Sequence, residues 1–194
     1  NILWPKICLG CGREGRYICD KCEVFLSEIE LDAPQNLSIV SVWAYEGLIK
    51  KIISKIKDEG CYNIAEELID TIFDKIEFNL PEDAYITYVP MLKKKERARG
   101  FNLAELIARK LGAITHRSVI GLLRQQADEH FSIGLKSAGP ISNRFIFKKE
   151  YGCPENILVV DDYRATGATM KECSEVLKRA GARNVFGFTL AGVF

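Results

Sequence analysis

The chain has 194 residues, of which 47% are hydrophobic and 27% are charged. These proportions are typical of a folded globular protein and argue against a disordered chain. No apolar run approaches the ~20 residues that a membrane-spanning helix needs, and the first residues show no signal-peptide pattern, so we expect a cytoplasmic protein. The formal net charge of +1 excludes a protein that binds nucleic acid through a global excess of positive charge.

Four of the seven cysteines lie within the first 22 residues, as two C-x-x-C pairs. An odd number of cysteines without a secretory signal argues against a disulfide framework, and two thiolate pairs can complete a tetrahedral metal site. We therefore predict that a zinc ion with a structural role is bound by Cys8, Cys11, Cys19 and Cys22. An iron–sulfur cluster and plain buried cysteines are the alternatives. Residues 1–35 are predicted to form a zinc-ribbon domain, and 36–194 a second domain.

Beyond a linker over 32–36, apolar patterns of strand and helix type alternate along the chain. The predicted elements are a strand over 38–44, helices over 48–56 and 65–76, a strand over 84–90, a helix over 103–111 ending near Gly112, strands over 118–123 and 157–160, a helix over 169–180 and a strand over 184–190. We interpret 91–100 as a basic loop and 124–150 as a mobile loop or hairpin. Alternating strands and helices predict an α/β fold with a parallel sheet flanked by helices.

The segment over 157–169, ILVVDDYRATGAT, combines an apolar strand, two acids and a threonine–glycine loop that leads into a helix. Ligands of parallel sheets bind beyond the carboxyl ends of the strands, where Asp161 and Asp162 can accept hydrogen bonds from sugar hydroxyls. Gly167 permits close backbone approach, and the N–H groups at the start of the helix can hold a phosphate. The segment therefore predicts a site for a sugar phosphate, with a simple capped turn as the alternative.

Two short stretches concentrate positive charge. One contains Lys50, Lys51, Lys55 and Lys57, and the other contains Lys93, Lys94, Lys95, Arg97 and Arg99. The guanidinium groups of Arg97 and Arg99 suit phosphate oxygens because they pair with them in a fixed fork. A solvated basic loop is the alternative interpretation of the second stretch.

The strand, acid pair and T-G-x-T order resembles the phosphoribosyl pyrophosphate (PRPP) motif of type I phosphoribosyltransferases. The resemblance implies that Asp161 and Asp162 hold the ribose hydroxyls and that the 5′-phosphate is bound by Ala165, Thr166, Gly167, Ala168 and Thr169. Ala165 departs from the pattern, because the family often has Thr or Ser there. The resemblance also implies that Arg97 and Arg99 meet the pyrophosphate, or a DNA backbone, and that Mg²⁺ accompanies PRPP.

Nearly the whole chain resembles the ComF family, which includes ComFC-like and GntX proteins. The resemblance is carried by the four cysteines and by the segments AYEGLIKKIISKIKDEG, VP-to-RGFN and DD-x-x-x-TGAT. It implies a type I phosphoribosyltransferase fold with an N-terminal zinc ribbon and a role in natural transformation, assisting the uptake of single-stranded DNA. The implied partners are PRPP or another phosphorylated ribose, single-stranded DNA and other competence proteins, through which the protein would meet the inner membrane.

The stretch between the middle of the chain and the TGAT loop departs from the ComF pattern. Glu129 stands where Gln is expected, residues 137–140 replace much of a basic run, and Asn143 and Phe145 fit. His130 is interpreted as a surface residue, with a general base as the alternative. Catalytic residues are therefore not assigned. Three functions stay open: a DNA-binding protein, an active phosphoribosyltransferase using PRPP and Mg²⁺ on an unknown acceptor, and a PRPP-sensing regulator.

Overall fold

The computed structural model describes residues 5–26, 39–73, 80–126 and 144–193. In chain order the helices are α1 (Asp20–Glu23), α2 (Gly47–Glu59), α3 (Tyr62–Phe73), α4 (Lys93–Arg99), α5 (Leu103–Thr115) and α6 (Ala168–Ala180). The strands are β1 (Ile39–Ala44), β2 (Tyr85–Tyr88), β3 (Leu123–Gln125), β4 (Phe145–Phe147), β5 (Asn156–Arg164) and β6 (Asn184–Gly192). None of the helices in these described ranges is long and apolar enough to cross a bilayer.

Four strands form a parallel sheet in the order β1-β6-β5-β2, which confirms the predicted α/β architecture. The apolar run that begins β5 is buried, as expected of a strand covered on both faces. One face packs against α2, α3 and α5, and the other packs against α6. Both crossover layers therefore contribute to the core, and the carboxyl ends of the strands gather at one edge of the sheet.

The buried residues of α2 show why this helix forms where the sequence predicts it. They recur at intervals of three and four residues, at Ile49, Ile52, Ile53 and Ile56, so that one stripe faces the sheet. Gly60 ends the helix in a left-handed conformation at φ 67°, which a residue without a Cβ adopts at little cost.

The prediction of a loop over 91–100 is wrong, because residues 93–99 form helix α4. Among its residues none is buried, so the segment carries no apolar period by which a helix could be recognised. Its Lys, Glu, Arg and Ala residues are nevertheless good helix formers. Gly100, at φ 91°, ends the helix.

Other boundaries also differ from the predictions, among them those of α3, which spans Tyr62–Phe73 where the sequence predicts 65–76. Instead of a strand over 118–123, a single bridge joins Val119 to Ile86. Strand β3 pairs antiparallel with β4, which confirms a hairpin at the described ends of 124–150. Gly112 does not end α5, which runs on to Thr115. A Cβ at Gly112 would collide with Val119, so glycine is required there for close packing. Strand β5 continues four residues past the predicted end at Val160, since it stays paired with β6.

The N-terminal residues pack directly on the sheet domain. Ile18 and Leu26 belong to the same buried cluster as the residues of α2 and α3. The carboxylate of Glu67 in α3 accepts hydrogen bonds from the backbone N–H groups of Tyr17, at 2.6 Å, and Ile18, at 3.0 Å. The predicted boundary between 35 and 36 lies outside the described residues.

Candidate ribose-phosphate pocket

A cavity of about 170 Å³ lies beside α4. A smaller cavity, of about 120 Å³, is the one lined by the residues predicted to bind a ribose phosphate. The smaller cavity is lined only by residues 161–170, from the end of β5 to the first turn of α6. All seven residues predicted for the ribose phosphate border it: Asp161, Asp162, Ala165, Thr166, Gly167, Ala168 and Thr169. Gly167 precedes α6 at φ 77°, so the turn requires a left-handed residue at the predicted position.

Asp161 lies in a setting that favours its neutral form. Burial raises the pKa of this carboxyl to about 8, and the negative charge of Asp162 contributes in the same direction. Its Oδ1 accepts a hydrogen bond of 2.9 Å from the backbone N–H of Asp162. Burial also raises the pKa of the Cys173 thiol in α6, and the Asp161 carboxylate adds to that shift. A neutral carboxyl can donate as well as accept a hydrogen bond, which suits a hydroxyl-bearing ligand.

Asp162 has a different neighbour, on α2. The ammonium of Lys57 lies 2.8 Å from Asp162 Oδ1, and the exposed fractions of the two side chains are 20% and 13%. The same ammonium lies 4.1 Å from the ring centroid of Tyr163, which stacks on Tyr45 at a centroid distance of 4.4 Å. The two adjacent acids of the motif are therefore held by different elements and in different electrostatic surroundings.

Sequence reasoning did not identify Arg144, which reaches the same loop from the start of β4. Its backbone N–H and its Nε donate to the two carboxylate oxygens of Glu172, at 2.8 and 3.0 Å. Its Nη2 lies 3.4 Å from Thr169 Oγ1, at the end of the cavity where α6 begins. The stretch before Arg144 has no apolar period, so only its position between the family residues Asn143 and Phe145 offered a signal.

The two arginines predicted for pyrophosphate or a DNA backbone play different parts in the structure. Arg97 is exposed on α4, together with Lys93, Lys94 and Lys95. Arg99 is half-buried, and its Nε donates to the backbone carbonyl of Lys57 at 3.0 Å. Arg99 thus joins α4 to the last turn of α2, next to the pocket.

The second basic stretch, over 50–57, does not form one uniform surface. Lys51 donates to the backbone carbonyl of Leu9 at 2.7 Å, and Lys55 pairs with Glu59 at 2.6 Å. Lys57 turns to Asp162, as described above. The three side chains therefore serve the ribbon, the surface of α2 and the pocket respectively.

The four N-terminal cysteines come together as predicted. Their sulfur atoms lie within 4.8 Å of one another. A Cβ at Gly10 would lie 2.7 Å from the sulfur of Cys22, so the turn requires glycine there. Burial raises the pKa of the Cys8 thiol, but backbone hydrogen bonds, first of all from Cys19, outweigh it and lower the pKa to about 6. A thiolate stabilised in this way fits a zinc ligand, and four sulfur donors leave no open coordination position.

The remaining predictions concern the other three cysteines and the stretch that ends at Phe145. Cys61 and Cys153 are partly buried and Cys173 is buried, in keeping with ordinary packing roles. Glu129, His130, 137–140 and Asn143 lie outside the described residues. Phe145 is buried in the core beside α6.

Comparison with known proteins extends the similarity over most of the chain, although no family model matches it. The competence protein ComFC of Bacillus subtilis is 29% identical over 195 residues, covering 95% of this chain and 77% of that protein. ComFC of Streptococcus pneumoniae is 22% identical over 174 residues, covering 89% and 74%. The DNA utilization protein YhgH of Escherichia coli O6:H1 is 22% identical over 196 residues, covering 93% and 86%. The similarity is therefore not confined to the segment over 157–169.

Proposed function

The chain belongs to the ComF family, and from this premise we propose that it acts in competence, assisting the passage of single-stranded DNA into the cytoplasm. Its relatives are named competence proteins and a DNA utilization protein. Cooperation with other competence proteins, and contact with the inner membrane through them, form part of the same proposal.

We further propose that the pocket at the end of β5 binds PRPP or another phosphorylated ribose. The observation that carries this proposal is that one cavity of about 120 Å³ brings both acids and the whole loop together. Asp161 and Asp162 would hold the ribose hydroxyls, and Thr166 to Thr169 would hold the phosphate at the start of α6. Ala165 brings no side-chain donor, and Arg144 offers a positive charge near Thr169 instead.

The proposed path for DNA runs over α4. Lys93, Lys94, Lys95 and Arg97 are exposed on this short helix, where they can neutralise successive phosphates. Contacts of this kind release counterions, so the affinity should fall steeply with salt and depend little on base sequence. An affinity that does not change with salt would contradict this proposal.

The test compares PRPP and single-stranded DNA binding in three variants. Asp161→Asn/Asp162→Asn should lose PRPP binding and keep DNA binding. Lys93→Gln/Lys94→Gln should keep PRPP binding and lower the affinity for DNA several-fold. The salt dependence of DNA binding should fall by about one unit of slope for each lost contact. Arg109→Gln/Lys110→Gln, which removes two positive charges from α5, is the matched control. Loss of DNA binding in the acid variant would place both ligands in one pocket.

The runner-up function is an active phosphoribosyltransferase that moves ribose 5-phosphate from PRPP to an unknown acceptor. The adjacent acids and the intact loop favour it. In this function Mg²⁺ would arrive on the pyrophosphate, and Arg97 and Arg99 would meet that group. Release of pyrophosphate over a panel of bases and amines would test it. A blank result from folded protein that binds PRPP would exclude it for the acceptors tried.

We also propose that the ribbon over 1–35 binds zinc as a structural ion, beside a phosphoribosyltransferase-like domain over 36–194. The four close sulfur atoms and the absence of an open ligand position support a structural metal. Quantifying bound metal in the purified protein distinguishes zinc from an iron–sulfur cluster, which would also absorb visible light.

A further inference from the structure

Lys57 occupies an unusual place for a lysine in the middle of a basic stretch. Its ammonium lies 2.8 Å from Oδ1 of Asp162, a residue that lines the pocket, and 20% of the Lys57 side chain is exposed. The face of the Tyr163 ring lies under the ammonium at 4.1 Å, and this ring is itself held by the stack on Tyr45. A half-buried ammonium fixed by a carboxylate and an aromatic face has a defined position, unlike the mobile lysines of a solvated surface.

The backbone around Lys57 is held as firmly as its side chain. Its carbonyl accepts a hydrogen bond of 3.0 Å from Arg99 Nε. Three residues further on, α4 approaches so closely that a Cβ at Gly60 would lie 2.8 Å from the Arg99 carbonyl oxygen. The end of α2 is thus clamped between α4 and the pocket, and the ammonium is positioned in advance of any ligand.

Two neighbouring carboxylates at the mouth of a pocket are the oxygen donors that a divalent cation prefers. Here the positive charge of Lys57 is already paired with Asp162, and the buried setting of Asp161 favours its neutral form. Among the described residues, none donates a hydrogen bond to Asp162 Oδ2, so that oxygen can still accept one from a ribose hydroxyl. The pair therefore keeps its hydrogen-bonding capacity while its negative charge is balanced by the protein itself.

We propose that Lys57 takes the place of a divalent cation at the ribose end of this pocket, so that the pocket binds a ribose 5-phosphate group without metal. The proposal rests on the proposed function of the pocket and specifies its ligand further. It concerns the ribose end only, and Mg²⁺ carried by the pyrophosphate of PRPP is a separate matter. Lys57 is a positioning and specificity residue: it sets which ligands the acid pair accepts.

Ribose 5-phosphate is the probe, since it lacks the pyrophosphate that would bring Mg²⁺ with it. Calorimetry should give the wild-type protein the same affinity with and without added Mg²⁺. Lys57→Met should bind ribose 5-phosphate about tenfold more weakly without Mg²⁺, because the charge-assisted hydrogen bond that positions Asp162 is lost. Added Mg²⁺ should restore most of the affinity. Lys57→Arg keeps the positive charge and should resemble the wild type.

Lys55→Met is the matched control, because Lys55 lies on the same helix and also forms an ion pair, with Glu59 at the surface. It should behave as the wild type does in every titration. Equal Mg²⁺ dependence of the Lys57→Met and wild-type proteins would overturn the proposal, as would a loss of binding in Lys57→Met that Mg²⁺ does not restore.

A second readout needs no sugar phosphate and separates this inference from the proposed function. Electron paramagnetic resonance with Mn²⁺ should detect an ion bound at least about tenfold more tightly by Lys57→Met than by the wild type. The affinity should disappear again in Lys57→Met/Asp162→Asn. If the wild type fails to bind ribose 5-phosphate while the Mn²⁺ results hold, the pocket's proposed ligand is wrong and the role of Lys57 stands. Equal Mn²⁺ binding in all variants overturns that role.

Discussion

At the scale of single residues, the sequence does not indicate that Asp161 and Asp162 lie in different electrostatic surroundings. Adjacent aspartates look alike in the sequence, yet Asp162 is paired with a lysine and burial raises the pKa of Asp161 to about 8. The neighbouring charge of Asp162 pushes in the same direction. Strand alternation explains the division, because successive side chains leave a strand toward different sides.

The raised pKa of Asp161 predicts how stability changes with pH. Between its ordinary value of 3.8 and about 8, the folded protein keeps a proton that the unfolded chain has released. The contribution of Asp161 to stability is therefore greatest below pH 4 and is lost as the pH rises toward 8. Asp161→Asn should abolish this loss, so the variant should gain stability relative to the wild type as the pH rises.

The measurement is the difference in Tm between Asp161→Asn and the wild type, from about pH 5 to about pH 8.5, where other titrating groups cancel. Asp58→Asn, at an exposed acid of α2, is the control and should show no such trend. A difference in Tm that does not vary with pH would show that Asp161 is ionised throughout.

Gly167 supports a second prediction at this scale. Its φ of 77° disfavours any side chain, but a Cβ there would meet only Arg164 Cδ, at 3.9 Å, so Gly167→Ala should fold. The backbone cost should be about 1 kcal/mol, seen in denaturant titrations, and PRPP affinity should fall because the loop turns less easily. Gly47→Ala, at φ 47° with open space around it, should cost similar stability and leave PRPP affinity unchanged. Equal PRPP affinity in both variants would mean that the loop does not bind phosphate.

At the scale of elements, the β3–β4 hairpin is tied to α6 through Arg144 and the buried carboxylate of Glu172. Arg144→Met would remove a charge-assisted hydrogen bond from that buried carboxylate, at a cost of about 2–3 kcal/mol. The free energy of unfolding should fall by this amount, and Arg144→Met/Glu172→Gln should recover part of it. Arg124→Met, on the exposed side of β3, should be nearly neutral. No recovery in the double variant would mean that Arg144 stabilises the hairpin without Glu172.

Most of the helices and strands could be predicted from the sequence because their buried residues are apolar and recur at regular spacing. The stripe of α2 and the apolar run of β5 are visible as patterns, and the structure confirms both. Helix α4 was missed because none of its residues is buried. The polar end of β5 was missed because its strand conformation comes from pairing with β6, and a non-local partner leaves no local trace.

The same distinction applies to the pocket. The acids and the loop are contiguous in the sequence, so their convergence on one cavity could be predicted from a motif. Lys57 and Arg144 come from 105 and 25 residues away from their partners Asp162 and Thr169. Such side chains enter the site through helix packing and hairpin docking, and only the tertiary structure reveals them.

At the scale of the whole molecule, the N-terminal segment that contains the four cysteines shares a core with the sheet and its helices. Ile18 is fully buried in the cluster that contains residues of α2 and α3, and Leu26 joins the same cluster. The carboxylate of Glu67 is 11% exposed and also accepts a hydrogen bond of 2.9 Å from Lys6 Nζ. A metal ion held by the four cysteines, as proposed above, should consequently stabilise more of the protein than the N-terminal segment alone.

Cys11→Ala tests this coupling, since Cys11 is the exposed member of the cysteine cluster and its loss disturbs packing least. The variant should bind less zinc, by elemental analysis, and its ribbon should no longer hold Ile18 in the core. Because the ordering of such a segment depends on metal binding, the Tm of the whole chain should fall. Cys61→Ala, outside the cluster, should keep both the metal and the Tm. If Cys11→Ala loses zinc while the main unfolding transition stays in place, the ribbon folds independently and its contacts with Glu67 contribute little to stability.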